Sequence, residues 1–67
     1  MIMFSARIKE LRLEKQLSQA DLATALSVNQ RTISNWEKAV RQPDFETLAR
    51  LAEFFQVSTD YILGLED

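Results

Sequence analysis

The chain has no cysteine and no histidine among its 67 residues. That removes a disulfide framework, a zinc site built from the usual ligands, and the thiol–imidazole and hydroxyl–imidazole pairs of nucleophilic catalysis. A single glycine and a single proline leave no glycine loop to cradle a phosphate and no flexible linker. No apolar stretch approaches the ~18 residues of a membrane span, and Met1 to Ser5 is too short for the apolar core of a signal peptide, so a cytoplasmic location without membrane contact is expected. Period-two alternation is sustained nowhere, β-branched residues are scattered, and no internal repeat or low-complexity run occurs. What remains is an all-α chain forming one domain, residues 1–67, whose stability comes from packed helices alone. A domain of this size buries only about 60% of the surface its unfolded chain exposes.

The residues present spell five helices, roughly 5–14, 18–26, 29–38, 44–55 and 58–64. Three of their starts share one signature: Leu17-Ser18-Leu22, Val28-Asn29-Ile33 and Val57-Ser58-Ile62 each place an apolar residue, a capping side chain and an apolar partner at hydrophobic-staple spacing. Ser5 and Asp44 are the expected caps of the first and fourth helices, Phe4 is expected to pack on Ile8, and Pro43 and Gly64 fall at helix ends. Helical spacing predicts a core of Ile8, Leu11, Leu22, Ala23, Leu26, Ile33, Trp36, Phe45, Leu48, Ala49, Ala52, Phe55, Tyr61 and Ile62. Serine and aspartate are accounted for by caps, so no residue set suggests an enzyme, and neither cofactor nor metal is expected.

The net charge of −2 conceals a polarity. Residues 1–43 carry seven basic and four acidic side chains, whereas residues 44–67 carry one basic and six acidic, a net +3 against a net −5. The basic half contains the most informative segment, residues 17–39, which reads as two short helices and a tight connection. On the second helix, Ile33 and Trp36 lie about 60° apart and point inward, leaving Arg31, Ser34, Asn35 and Lys38 opposite them. An ordinary solvated face mixes signs, but Glu37, the only acid in 29–41, lies on the Ile33 side. Arginine and asparagine read guanine and adenine edges bidentately in the major groove, and serine and threonine pair with either. Gln19 sits in the first turn of helix two, where free N–H groups and the positive dipole end suit a phosphate. Asn29 caps helix three beside the backbone path, and Lys38, Arg41 and Gln42 follow that helix at positions suited to phosphates. Trp36 belongs to the core, since no second aromatic interleaves with the basic residues to form a base-stacking platform.

The pieces RIKELR (7–12), LSQADLA (17–23), VNQRTISNWEK (28–38), PDFETLARLA (43–52) and VSTDYIL (57–63) together resemble the λ-repressor-like, Cro/Xre-type helix-turn-helix family, in order and in spacing. The resemblance implies a compact five-helix fold with helices two and three as the helix-turn-helix. It further implies a double-stranded DNA-binding transcriptional regulator working as a homodimer on a two-fold-symmetric operator. By family pattern Gln30, Arg31 and Asn35 meet base edges, with Thr32 and Ser34 as secondary candidates, and Gln19 contacts phosphate and braces the first of them. Arg12 and Glu37 correspond to a partly buried ion pair between helices one and three. Ser27 and Ala39 stand where the family commonly has glycine at φ > 0, a substitution that costs about 1 kcal/mol. Phe54 lies about 180° from Phe45 on the fourth helix, so burial of one exposes the other. With Leu63 and Leu65 it forms a candidate dimer contact, or is covered by a fold-back of the tail. The same fold serves antitoxins of toxin–antitoxin pairs, and a protein-interaction module without DNA is a third reading. RNA polymerase or a toxin would be the protein partner.

Overall fold

A computed structural model describes residues 3–66 as five helices: α1 (Phe4–Glu14), α2 (Gln19–Leu26), α3 (Gln30–Glu37), α4 (Phe45–Phe55) and α5 (Thr59–Leu63). Among the described residues there is no strand. Four helices begin with a side chain satisfying an otherwise unpaired backbone N–H. Ser18 and Asp21 form a reciprocal capping box, Asn29 accepts from the Thr32 N–H, Asp44 from Thr47 and Ser58 from Tyr61. The first helix differs from expectation. It opens at Phe4, its N-cap Met3 provides no side-chain bond, and Ser5 lies inside the first turn. The Ser5 hydroxyl instead donates to the Trp36 carbonyl at 2.6 Å, tying the start of α1 to the end of α3.

All five helices end in the same way. Gln16, Ser27, Ala39, Gln56 and Gly64 have positive φ, between 58° and 81°. The N–H of the next residue (Leu17, Val28, Val40, Val57 or Leu65) then reaches back to the carbonyl five positions before it, as in Arg12, Ala23, Asn35, Ala52 and Asp60. This is the Schellman motif, a left-handed residue followed by a backbone return; after it Leu17, Val28 and Val57 are partly buried, whereas Val40 and Leu65 are largely exposed. Leu17, Val28 and Val57 serve twice, closing one helix and opening the next as the apolar half of a staple. The connections are short for that reason: Ser27-Val28-Asn29 joins α2 to α3, and Gln56-Val57-Ser58 joins α4 to α5. Only Gly64 adopts positive φ without a Cβ penalty.

Ile8, Leu22, Ile33, Leu51 and Ile62, one from each helix, are fully buried at the centre. Phe4, Leu11, Ala23, Leu26, Trp36, Ala52 and Phe55 surround them, and Phe4 meets Trp36 edge to face at 6.0 Å between centroids. Three expectations on α4 need correction. Phe45 is 92% exposed, Ala49 is exposed, and Leu51, which helical spacing did not single out, is completely buried. The buried stripe runs Leu48, Leu51, Ala52, Phe55, an i, i+3, i+4, i+7 set whose centre lies roughly 70° from Phe45 and 110° from Ala49. Phe45 is also the first residue of α4, at the rim. Leu48 and Tyr61 are only partly buried, Tyr61 beneath the Arg7 guanidinium, which sits 4.3 Å from the ring centroid.

Candidate nucleic-acid interface

The α3 helix packs on α1 and α2 through Ile33 and Trp36, both buried. Opposite them Arg31 is exposed with Ser34 and Asn35 half-buried beside it, and Gln30, exposed, and Thr32, half-buried, stand at the margins of that side. Lys38, Arg41 and Gln42 are exposed where the chain leaves the helix. The backbone after α3 folds back, the Val40 and Arg41 N–H groups both donating to the Asn35 carbonyl at 2.9 and 3.3 Å. That return keeps Arg41 at the end of α3. Three residues of the local sequence decide the entry to the helix. Ser27 makes the left-handed turn at φ 58°, Val28 packs on the core, and the Asn29 carboxamide oxygen accepts from both the N–H and the hydroxyl of Thr32, at 2.9 and 3.1 Å. The Asn29 amide N–H groups face no partner in the cap, whereas Thr32 has spent its hydroxyl proton and keeps only acceptor capacity.

The angle of α3 is fixed by a buried polar cluster. Arg12 on α1 grips Glu37 at the end of α3 bidentately, Nε to Oε2 at 2.6 Å and Nη2 to Oε1 at 3.0 Å, and its Nη1 donates to the Leu17 carbonyl at 2.9 Å. The two side chains are 10% and 6% exposed. Burial alone would push the Glu37 carboxyl up. Hydrogen bonds from Arg12 and Gln19, with the charges of Arg12 and Lys9, outweigh it and hold the group below the ordinary carboxylate range. The Arg12 guanidinium is correspondingly raised by its hydrogen bond to Glu37, against desolvation. Gln19 joins this cluster, its Nε2 donating to Glu37 Oε1 at 3.2 Å. The family pattern leads one to expect Gln19 against Gln30. In the free protein its amide is given to Glu37, which leaves one Nε2 proton directed elsewhere.

Sequence reasoning missed the partner of Arg50, the lone base of the acidic half. Its Nη2 donates to the Leu26 carbonyl at 2.6 Å, fastening α4 to the end of α2 immediately before the turn. An isolated base among acids was the available signal, but its target lies 24 residues away.

The three apolar candidates for assembly do not share one surface. Phe54 is half-buried edge to face on Phe55 at 5.0 Å, with the Lys15 ammonium 5.9 Å from its centroid, and borders a depression with Ala25, Leu26, Arg50, Glu53 and Gln56. Leu63 lines a different groove at the start of α1 and α4, and Leu65 is largely exposed. Among the described residues no helix is long and apolar enough to cross a membrane.

A family model described as helix-turn-helix matches residues 8–62. The HTH-type transcriptional regulator ImmR of Bacillus subtilis is 38% identical over 61 residues, 91% of this chain and 48% of that protein. A transcriptional regulator from Listeria innocua superposes over 100% of this chain and 63% of its own with a TM-score of 0.92 at 30% identity. The P22 c2 repressor, in complex with a synthetic operator, superposes with a TM-score of 0.88 at 30% identity, over 98% of this chain and 100% of its own. The chain thus spans about half the length of the curated relatives it matches.

Proposed function

The chain belongs to the Cro/Xre-type helix-turn-helix family, and we propose that it is a sequence-specific double-stranded DNA-binding transcriptional regulator that inserts α3 into the major groove. The observation that carries this reading is the outer face of α3. Arg31, Ser34, Asn35 and Lys38 form it without an acid, Gln30 and Thr32 stand at its margins, and the Arg12–Glu37–Gln19 cluster, which takes up the one acid of the helix, holds it at a set angle. Arg31 is the side chain suited to guanine O6 and N7, and Asn35 and Gln30 to adenine N6 and N7. Gln19, Asn29, Lys38, Arg41 and Gln42 surround that face and take the phosphates, positioning the helix without reading sequence. The acidic half, carrying α4 and α5, faces away from the duplex. It brings two copies together on a two-fold-symmetric operator whose half-sites lie about 34 Å apart, with Leu63, Leu65 and Phe54 as alternative contact candidates on separate surfaces. Such a protein works on the chromosome in the bacterial cytoplasm.

Selection of bound sequences from a random duplex pool, followed by titration of the winner against salt, tests the proposal. Enrichment of a two-fold-symmetric sequence and an affinity that falls steeply with salt are expected. Failure to enrich any sequence, with no salt-dependent binding to duplex, would leave a protein-interaction module as the better reading.

A further inference from the structure

We propose that Thr32 reads the exocyclic amino group of an adenine or a cytosine in the major groove, because Asn29 locks its hydroxyl as an acceptor. The inference rests on the DNA-binding reading of α3 and deepens it. The Thr32 N–H meets the Asn29 side chain at 2.9 Å, and an N–H can only donate, so the atom it meets is the carboxamide oxygen and not the NH2 group. The Thr32 hydroxyl lies 3.1 Å from that same oxygen, which carries no proton. The hydroxyl must therefore donate to it. A hydroxyl has one proton, and among the described residues Thr32 gives it to no other partner.

A free threonine hydroxyl rotates to suit either kind of partner, which is why serine and threonine pair with any base edge. Once locked, Thr32 Oγ1 presents lone pairs only. On the major-groove edge the donors are adenine N6 and cytosine N4, whereas guanine O6 and N7 and thymine O4 accept, as phosphate oxygens do. Thr32, at the margin of the outer face, is thereby turned away from the phosphates and toward an amino group. Each base pair carries one such group there, on the purine of A·T and on the pyrimidine of G·C. The lock therefore decides which strand bears the amino base, leaving the choice of pair to Gln30 and Arg31. The NH2 group of Asn29 stays free of the cap, and a phosphate bound to it keeps the oxygen turned to Thr32.

Sequence selection with the parent and with Thr32→Val tests this. Valine keeps the shape, the methyl group and the backbone N–H of the cap but has no acceptor, so preference should relax at one base pair of each half-site. At that pair, a base analogue lacking only the amino group should weaken the parent about two- to tenfold per half-site, the worth of one hydrogen bond, and should leave Thr32→Val unaffected. Thr32→Ala, a better helix former that also lacks the acceptor, should behave as Thr32→Val does. Asn29→Gly removes the lock and leaves a tolerated cap; it should bind the duplex with that pair reversed nearly as well as the original, since the freed hydroxyl can donate to the keto oxygen. Each readout is a ratio between two duplexes on one protein, so a general loss of affinity cancels. Parental preference retained by Thr32→Val and Thr32→Ala, an amino-deleted duplex bound by the parent as tightly as the intact one, or undiminished strand preference in Asn29→Gly would each overturn the proposal alone. A parent that enriches no sequence would overturn the DNA reading, and this inference with it.

Discussion

Replacing Arg12 by alanine takes the bidentate partner from the Glu37 carboxylate, 6% exposed in the intact pair, leaves the Gln19 amide as its hydrogen-bond donor, and frees the Leu17 carbonyl as well. Stranding one member of a buried ion pair costs about 3–5 kcal/mol. A domain of this length has roughly 3–10 kcal/mol in total, at about 0.05–0.15 kcal/mol per residue. Arg12→Ala should therefore melt at least ~12 °C below the parent, at about 4–8 °C per kcal/mol, and unfold near room temperature if the parent lies at the low end. The pH dependence identifies the cause. In the parent, Glu37 is held below its ordinary value, so its contribution is full at neutral pH and is lost as pH falls through the depressed folded value, below about 4. In the variant, burial acts on Glu37 against only the Gln19 hydrogen bond and the Lys9 charge, so its folded value rises relative to the parent's and the stability difference between the two proteins shrinks on acidification. Thermal melts of parent and variant from neutral pH downward check the argument. A loss below about 1 kcal/mol, or a difference between the two proteins that does not shrink on acidification, would refute it.

Arg31→Ala should cost about 1–3 kcal/mol on the selected operator and relax the choice at one base pair of each half-site, read by repeating the selection with the variant. Lys38→Ala and Arg41→Ala should weaken specific and random duplexes alike and each lower the salt slope by about one, the worth of a single neutralised phosphate, whereas a base-selective effect would move them into the reading set. Ala39→Gly removes a left-handed strain of about 1–2 kcal/mol against about 0.5–1 kcal/mol of added chain entropy, so denaturant melts should show a neutral to slightly stabilised protein. Gly64→Ala works in the opposite sense, since φ is 81° and the new Cβ would lie 2.8 Å from Met3 Cβ; a variant as stable as the parent would contradict that geometry.

Much of this architecture is legible because its signals are local. Ser18, Asn29, Asp44 and Ser58 each offer an oxygen to a backbone N–H three residues on, so a capping residue before an apolar period suffices to place the helix starts. The left-handed ends at Ser27 and Ala39 are expected from family pattern, but those at Gln16 and Gln56 are not, because nothing in glutamine favours positive φ. There the apolar residues Leu17 and Val57 dictate the turn. Their partial burial and their bonds to the Arg12 and Ala52 carbonyls outweigh the cost of a misfit residue, so the informative letter is the one after the glutamine. Phe45 and Leu51 fail for another reason. A wheel gives the direction in which a side chain points but not where the neighbouring helices stop, and Phe45 stands on the first turn at an open groove.

The candidate site divides along the same line. Which side of α3 is polar follows from spacing within ten residues, so Arg31 and Asn35 could be placed on the outer face before any coordinates. What holds that face in position depends on contacts between segments far apart in the chain: Arg12 with Glu37, Gln19 with Glu37, Ser5 with the Trp36 carbonyl and Arg50 with the Leu26 carbonyl, separated by 25, 18, 31 and 24 residues. Three of these four converge on the last two residues of α3, and the fourth secures the end of α2. The base-reading side chains are thus carried on a helix whose free outer face is matched by a heavily bonded rear and C-terminal end. Substitutions on the outer face should accordingly change which sequence is bound at little cost in stability, while substitutions at the rear should change stability first and base preference only through the angle of the helix.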